Sequence, residues 1–264
     1  MSETPAAPKG ADDPERTFPL APLDEAVLVA AHTRYEIVNA VVDDLPRSGR
    51  EDASVLADAL YVQSLADRLV REAVVVECER GASWAAIGQM TGVSRQSAHE
   101  RWSPVIEGWA LTGRQRTGIG SGTPSAELAA NLDAWFAELD HQGRTDAITA
   151  TLPSYADSSA RTAAQEKREQ AAQLRDRQQA LQQAADQACQ ASMAATGTAG
   201  ADHNRTAWAT ALLARAGTYD QLAAAEAPLG REHKRTAGRH RSLAHDLLSG
   251  KPVPATAPTT ETGT

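Results

Sequence analysis

The sequence predicts an all-α protein: a helical hairpin that carries a helix-turn-helix, and then a C-terminal helical region with one long, coiled-coil-like helix. Three observations predict this fold class. Alanine dominates the apolar residues while aromatic residues make up only 4% of the chain, which favours helices packed through small side chains over a sheet. Apolar positions recur at helical spacing, and the longest such run contains neither proline nor glycine.

The N-terminal part is expected to form a helical hairpin. Residues 1–22 hold five of the thirteen prolines and no periodic apolar pattern, so we expect a disordered tail there. A helix begins at Leu23 and is broken by the polar stretch 43–50. A second helix is expected over residues 52–80, with Gly81 as its stop. Its buried face is expected to hold Leu56, Leu60, Leu65, Leu69, Ala73 and Val76.

Residues 83–103 have the features of two short helices joined by a sharp turn. Ser83 and Ser94 are expected to cap these helices, because a serine hydroxyl accepts a hydrogen bond from a free N–H of the first helical turn. Gly92 supplies the positive φ that the turn needs. Pro104 is expected to mark where the second helix begins to end.

The faces that meet between these two helices carry small and aromatic residues. A steep crossing brings the backbones close at Gly88 and Ala98, where larger side chains would push the helices apart. Trp102 follows Ala98 at the i, i+4 spacing and therefore shares its buried face. This pattern, together with the capped turn, predicts a helix-turn-helix.

The runs Gly81–Gly88 and Gly92–Trp102 resemble a helix-turn-helix segment found in many DNA-binding proteins of high-GC bacteria. That family usually has a leucine where this chain has Thr91, and we expect Met90 to compensate by turning inward. The resemblance implies that the second helix lies in the major groove of DNA.

If the second helix reads DNA, its exposed side does the reading. Arg95 can donate two hydrogen bonds to guanine, and Gln96 can pair with adenine or a phosphate. Arg101, at the edge, is a phosphate candidate. An ordinary solvated face on a structural helix-turn-helix is the alternative. The full set of candidates on this helix is Ser94, Arg95, Gln96, Ser97, His99, Glu100 and Arg101.

After residue 111 the composition changes. Residues 112–124 contain four glycines and no core pattern, so we expect a flexible linker between a DNA-binding domain, 23–111, and a helical region, 125–249. The tail 250–264 is rich in proline and threonine and is expected to be disordered. Within the helical region the patterns predict helices over 125–139, 155–196, 203–227 and 230–248.

The long helix 155–196 needs a partner, because its seam is lined by alanine and is poor in branched apolar residues. The seam consists of Lys167, Leu174, Leu181, Ala188 and Ala195, with Ala164, Ala171, Gln178, Ala185 and Ser192. Two arrangements satisfy it. A coiled coil between subunits would make a homodimer through residues 155–248, which we favour because two helix-turn-helix units double the base contacts. A bundle within the chain would instead leave a monomer.

A second basic cluster lies between Gly230 and Arg241. It is a candidate phosphate patch, although a solvated helix face that offsets acidic regions is an equally good interpretation. His233 and His240 have no cysteine or acidic partner in the sequence pattern, so we expect no metal. The basic residues of this patch are Arg231, Lys234, Arg235, Arg239 and Arg241.

The formal net charge is -8, which by itself argues against a nucleic-acid partner. The acidic residues are unevenly distributed, however. Residues 1–66 hold 12 acidic and 5 basic residues, whereas residues 67–118 hold 6 and 7. The excess acid therefore lies outside the segment that contains the candidate reading helix.

These features favour a sequence-specific DNA-binding protein, a transcriptional regulator that binds double-stranded DNA. The alternative is a coiled-coil interaction or scaffold protein whose helix-turn-helix docks a protein partner. No nucleophile elbow, phosphate-binding glycine loop or zinc motif is present, so we expect neither an enzyme nor a cofactor. Two cysteines, no signal peptide and no long apolar run predict a cytoplasmic protein without membrane contact.

Overall fold

A computed structural model describes residues 19–43, 55–117, 123–140, 143–195 and 200–251, and it confirms the all-α fold. The described residues are 84% helical and contain no strand. The predicted tails fall largely outside the described residues. The helices of this part of the chain are α1 (Pro22–Asp43), α2 (Val55–Glu79), α3 (Trp84–Thr91), α4 (Arg95–Leu111), α5 (Ser125–Leu139), α6 (Pro153–Ala156), α7 (Ser158–Ala194), α8 (Ala201–Ala225) and α9 (Gly230–Leu248).

One predicted helix end is wrong. We expected the second helix of the helix-turn-helix to begin ending at Pro104, but α4 continues through this proline to Leu111. Proline costs the helix one N–H donor at its own position. Beyond it, Ile106 and Ala110 are buried at 0% and 2% exposure, and their packing holds the last turns of α4 in place.

α1 and α2 pack against each other as the expected hairpin, and polar groups join them as well as apolar ones. The Nε of Arg68 donates to the Oγ1 of the fully buried Thr33 at 3.2 Å. The same guanidinium is ion-paired with Glu36 on α1 and with Glu72 on α2. Burial raises the pKa of the Glu72 carboxyl, because an apolar surrounding disfavours its charged form.

The predicted buried face of α2 is only partly correct. Leu65 and Val76 are buried, and Leu69 and Ala73 are half-buried. Leu56 and Leu60, in contrast, are exposed. Both lie in the first two turns of α2, where no other part of the described chain covers them.

The first compact unit extends beyond the predicted 23–111 domain. Leu132 of α5 packs in one cluster with Leu28 of α1, and Trp135 meets Tyr35 edge-on at 4.8 Å between ring centroids. The chain divides into the units 1–166 and 167–264, so the division lies within α7 and not at 112–124. The sequence predicted the helix over 125–139 but not that α1 would cover it.

The second unit is an intramolecular bundle of α8, α9 and most of α7. Near one end Ala171 and Leu174 of α7 contact Leu222 and Ala225 of α8. Near the other end Cys189 of α7 packs with residues of both other helices: Trp208, Ala209, Leu212, Ala244 and Leu247. The seam of α7 is therefore covered within the chain, which is the second of the two arrangements considered above.

One residue of the predicted seam differs from expectation. Lys167 is exposed, and the neighbouring Arg168 is buried in its place. Between the two apolar clusters lie polar side chains from all three helices, among them Gln178, Arg215 and His240. Buried polar atoms on all three lack a hydrogen-bond partner in this part of the chain.

Among the described residues, no helix is both long and apolar enough to cross a bilayer.

Candidate nucleic-acid interface

α3 and α4 form the predicted corner, and local hydrogen bonds define it. The Oγ of Ser83 accepts from the backbone N–H of Ala86 at 3.2 Å, which caps α3. Gly92 adopts a φ of 73°, the left-handed conformation that glycine takes without strain. The Oγ of Ser94 accepts from the N–H of Ser97 at 3.1 Å, which caps α4. The three positions named from the sequence thus have the expected conformations.

The inner side of the corner is closely packed. Trp84 and Ile87 of α3 and Ala98 and Trp102 of α4 are all buried at 8% exposure or less. A Cβ atom added to Gly88 would lie only 2.7 Å from the carbonyl oxygen of Val93. Glycine at position 88 is therefore required by the close approach of two backbones.

The expected inward turn of Met90 is wrong. Met90 is 59% exposed. The hydroxyl of Thr91 donates instead to the carbonyl oxygen of Ile87 at 2.7 Å, on its own helix. Threonine at this position is satisfied locally, so no compensating apolar side chain is needed.

Most of the candidate reading residues are exposed. Gln96, Glu100 and Arg101 point to solvent along α4, and Arg95 stands at its N-terminal end. Ser94 and Ser97 are also exposed, although their side chains take part in the cap. His99 differs, because it is half-buried and meets the Trp84 ring edge-on at 5.4 Å. The structure thus places six of the seven candidates on the solvent side and turns the seventh toward α3.

The charges on this surface are arranged along α4. The Nε2 of Gln96 donates to the Oε1 of Glu100 at 2.8 Å. The guanidinium of Arg101 lies 5.1 Å from the centroid of the Trp102 ring, which fixes its stem against the helix. The positive end of the α4 dipole lies beside Arg95. The first turn of α4 therefore offers hydrogen-bond donors, while Glu100 adds a carboxylate one turn further on.

A buried ion pair braces the corner from behind, and sequence patterns did not indicate it. The guanidinium of Arg114, just after α4, is paired with the carboxylate of Glu79 at the end of α2. Trp109 donates its Nε1–H to the same carboxylate at 2.8 Å. Glu79 and Arg114 lie 35 positions apart, so no short-range spacing could connect them.

The first residues of the predicted linker are held against the helical hairpin. Arg114 has a positive φ of 58°, which turns the chain back toward the hairpin. The N–H of Arg116 then donates to the Oε2 of the fully buried Glu25 at 3.0 Å. Arg114 and Arg116 thus tie the start of the predicted linker to α2 and α1, whereas 118–122 lie outside the described residues.

The second basic cluster lies on α9 in the other compact unit. All five basic side chains are exposed, and Arg241 is ion-paired with Asp220. The opposite side of α9 faces the bundle, where His233 Nε2 lies 2.9 Å from the Oε2 of the buried Glu226. His240 stacks on the Tyr219 ring at 5.6 Å between centroids. The exposed basic residues are Arg231, Lys234, Arg235, Arg239 and Arg241.

His233 and His240 thus face the bundle, whereas the basic side chains of α9 face solvent. Burial, together with the charges of Arg215 and Arg239, lowers the pKa of His240 to about 4. In the described part of the chain, no group of three or more histidine, cysteine, aspartate or glutamate side chains is arranged to hold a metal ion.

Comparison with known proteins gives no relative: no protein-family model, no curated protein and no solved structure matches the chain. The geometry of the α3–α4 corner and its exposed side therefore carry the functional interpretation.

Proposed function

We propose that this chain is a sequence-specific DNA-binding protein that places the first turns of α4 in the major groove and acts in transcription regulation. One observation carries the proposal. α4 is capped at its N-terminus and packed against α3 through Ala98 and Trp102, and the side chains at its start, Arg95 and Gln96, are left exposed. A rigid helix with exposed donors at its N-terminal end is the arrangement by which helix-turn-helix proteins reach base edges.

Base recognition and backbone positioning are assigned to different residues. Arg95 can donate two hydrogen bonds to the O6 and N7 atoms of guanine, and Gln96 can bond adenine in the same groove. Ser94 and Ser97 lie at the helix N-terminus, where N–H groups and the helix dipole favour a phosphate. Arg101 is placed to contact a phosphate at the edge of the groove.

The charge of the rest of the chain determines how such a protein binds. The formal net charge of -8 arises largely from residues 1–66, which hold 12 acidic and 5 basic residues, and this excess of acid opposes the approach of DNA phosphates. Non-specific affinity, which depends on neutralised phosphates, is then low. Recognition consequently depends on base contacts made by α4, and a partner subunit that supplies a second α4 would strengthen it.

The decisive experiment is selection of binding sites from a random DNA pool by the full chain, followed by titration of the enriched site at several salt concentrations. We expect one enriched motif and an affinity that falls steeply as salt rises. The variant Arg95→Ala plus Gln96→Ala should lose enrichment. Arg144→Ala, which removes one exposed positive charge on the loop after α5, is the matched control and should retain it.

Absence of binding at low salt would overturn the proposal. In that case the exposed side of α4 would fit better as a docking surface for a protein, which is the alternative that the sequence left open.

A further inference from the structure

Exposed apolar side chains cluster at the end of the α1–α2 hairpin that is remote from the helix-turn-helix. In the described part of the chain, fourteen large apolar side chains are exposed, and seven of them lie at this end. Their exposed fractions range from 38% to 82%. We call this cluster the hairpin tip. It consists of Val38, Val41, Val42, Val55, Leu56, Leu60 and Tyr61.

Apolar residues at the hairpin tip follow the spacing of a helix face that packs against another element. Val38, Val41 and Val42 follow the i, i+3, i+4 spacing on α1, and Leu56 and Leu60 the i, i+4 spacing on α2. Because α1 ends where the hairpin turns and α2 begins there, the two sets lie at the same end. Seven of the ten residues from 55 to 64 are apolar, yet all seven except Val62 are exposed.

The size of the hairpin tip matches one side of a stable interface. Its seven side chains expose on the order of 100 Å² each, or roughly 700 Å² together, compared with about 800 Å² per partner in a standard protein–protein interface. Monomeric proteins rarely expose an apolar patch of more than about 300–600 Å². An exposed apolar patch of this size is typical of a surface that a partner covers.

The charges around the hairpin tip indicate what covers it. Within 38–43 and 55–64 the only charged residues are Asp43 and Asp58, and both are acidic. DNA phosphates and anionic lipid headgroups are therefore poor partners. Homodimer interfaces are more apolar than those between proteins that associate transiently, and the hairpin tip has this composition.

We propose that the hairpin tip is the interface through which two copies of this chain pair about a two-fold axis. A two-fold pairing places the same patch on itself and leaves no exposed apolar edge for further association. α2 is about 37 Å long at ~1.5 Å per residue, and α3 follows its far end. Both α4 helices thus remain accessible in the pair. The association itself requires no DNA, so it stands or falls separately from the proposed function.

Sedimentation equilibrium of the full chain without DNA, from submicromolar to high micromolar concentration, tests this interface. We expect the mass of the wild-type chain to reach twice the monomer mass. Leu56→Glu plus Leu60→Glu on α2, and separately Val42→Glu on α1, should remain monomeric with unchanged helicity and melting temperature at matched low concentration, because these side chains are already exposed. Leu248→Glu, at a position that is 57% exposed on α9, is the matched control and should dimerise like the wild type.

Four results would overturn the proposal. One is a wild-type chain that stays monomeric at every concentration. The second is a dimer that persists in both hairpin-tip variants. The third is a monomer whose variants melt at lower temperature, which would mean that residues 44–54 of the same chain cover the patch. Binding of the monomeric chain to vesicles of uncharged phosphatidylcholine would identify a lipid surface as the occupant and would equally reject the dimer.

Discussion

Gly88 and Val93 are in backbone contact across the turn of the helix-turn-helix. The N–H of Val93 donates to the carbonyl oxygen of Gly88 at 2.9 Å, and a Cβ on residue 88 would stand 2.7 Å from the carbonyl oxygen of Val93. A single methyl group at position 88 must therefore push α3 away from the start of α4.

Gly88→Ala should destabilise the first unit by about 1–3 kcal/mol, the usual cost of overpacking a close contact. Gly108→Ala is the control, because a Cβ there meets nothing within 4 Å. Alanine in an open helical position should stabilise α4 by about 0.5–1 kcal/mol. Urea denaturation followed by circular dichroism measures both changes, and equal effects would show that the contact is not tight.

Gly92→Val should unfold the corner, because the φ of 73° at this position strains any residue with a Cβ and strains a β-branched residue most. We expect a loss of about 2 kcal/mol in unfolding free energy and loss of DNA binding. Gly92→Asn should be much milder, since asparagine tolerates the left-handed conformation. Full stability of the valine variant would show that the turn lies elsewhere.

Arg114→Met should be strongly destabilising, because it leaves the Glu79 carboxylate, whose side chain is 2% exposed, without its cation. Removing one partner of a buried pair typically costs about 3–5 kcal/mol. The double variant Glu79→Met plus Arg114→Met should recover a large part of this loss, since no buried charge remains. Chemical denaturation measures the unfolding free energy of both variants. A double variant that is less stable than Arg114→Met by several kcal/mol would contradict the importance of this ion pair.

Arg95→Ala and Arg101→Ala should weaken DNA binding in different ways. We expect Arg95→Ala to cost about 1–3 kcal/mol on the selected site and to relax preference at one base pair. Arg101→Ala should weaken all sequences alike and reduce the magnitude of the salt slope by about 1. Titration of the selected site and of a scrambled duplex separates the two effects, and identical behaviour would mean that the reading face is assigned incorrectly.

The stability of the second unit should fall as the pH falls from about 6.5 toward about 4. Burial beside Arg215 and Arg239 lowers the pKa of His240 to about 4 from an ordinary 6.5. Within this interval the unfolded chain binds a proton that the folded chain does not, so stability is present above pH 6.5 and is lost on acidification. Thermal denaturation at pH 7.5 and 5 measures the loss.

His240→Phe should weaken this dependence while keeping the stack on Tyr219. His245→Phe is its control, because His245 is exposed on the same helix. A wild-type chain and a His240→Phe variant that lose the same stability between the two pH values would show that His240 titrates normally.

The sequence correctly predicted features whose conformation depends only on residues a few positions apart. The caps at Ser83 and Ser94 and the turn at Gly92 depend on hydrogen bonds and dihedrals of neighbouring residues, so their types and spacing were sufficient. The bounds of α5 and α9 also agree with prediction. Pro104 is the exception, because the packing of Ile106 and Ala110 outweighs the local cost of proline.

The sequence by itself therefore determined which segments are helical, the caps of α3 and α4 and the exposed start of α4. Only the tertiary structure decided what each apolar or charged face meets: α5 packs on α1, the seam of α7 is covered within its own chain, Glu79 holds Arg114, and Leu56 and Leu60 remain exposed. The physical reason is that helical periodicity depends on residues three or four positions apart, whereas partners are chosen among distant segments by shape and charge. A pattern along one helix carries no information about which distant segment will cover it.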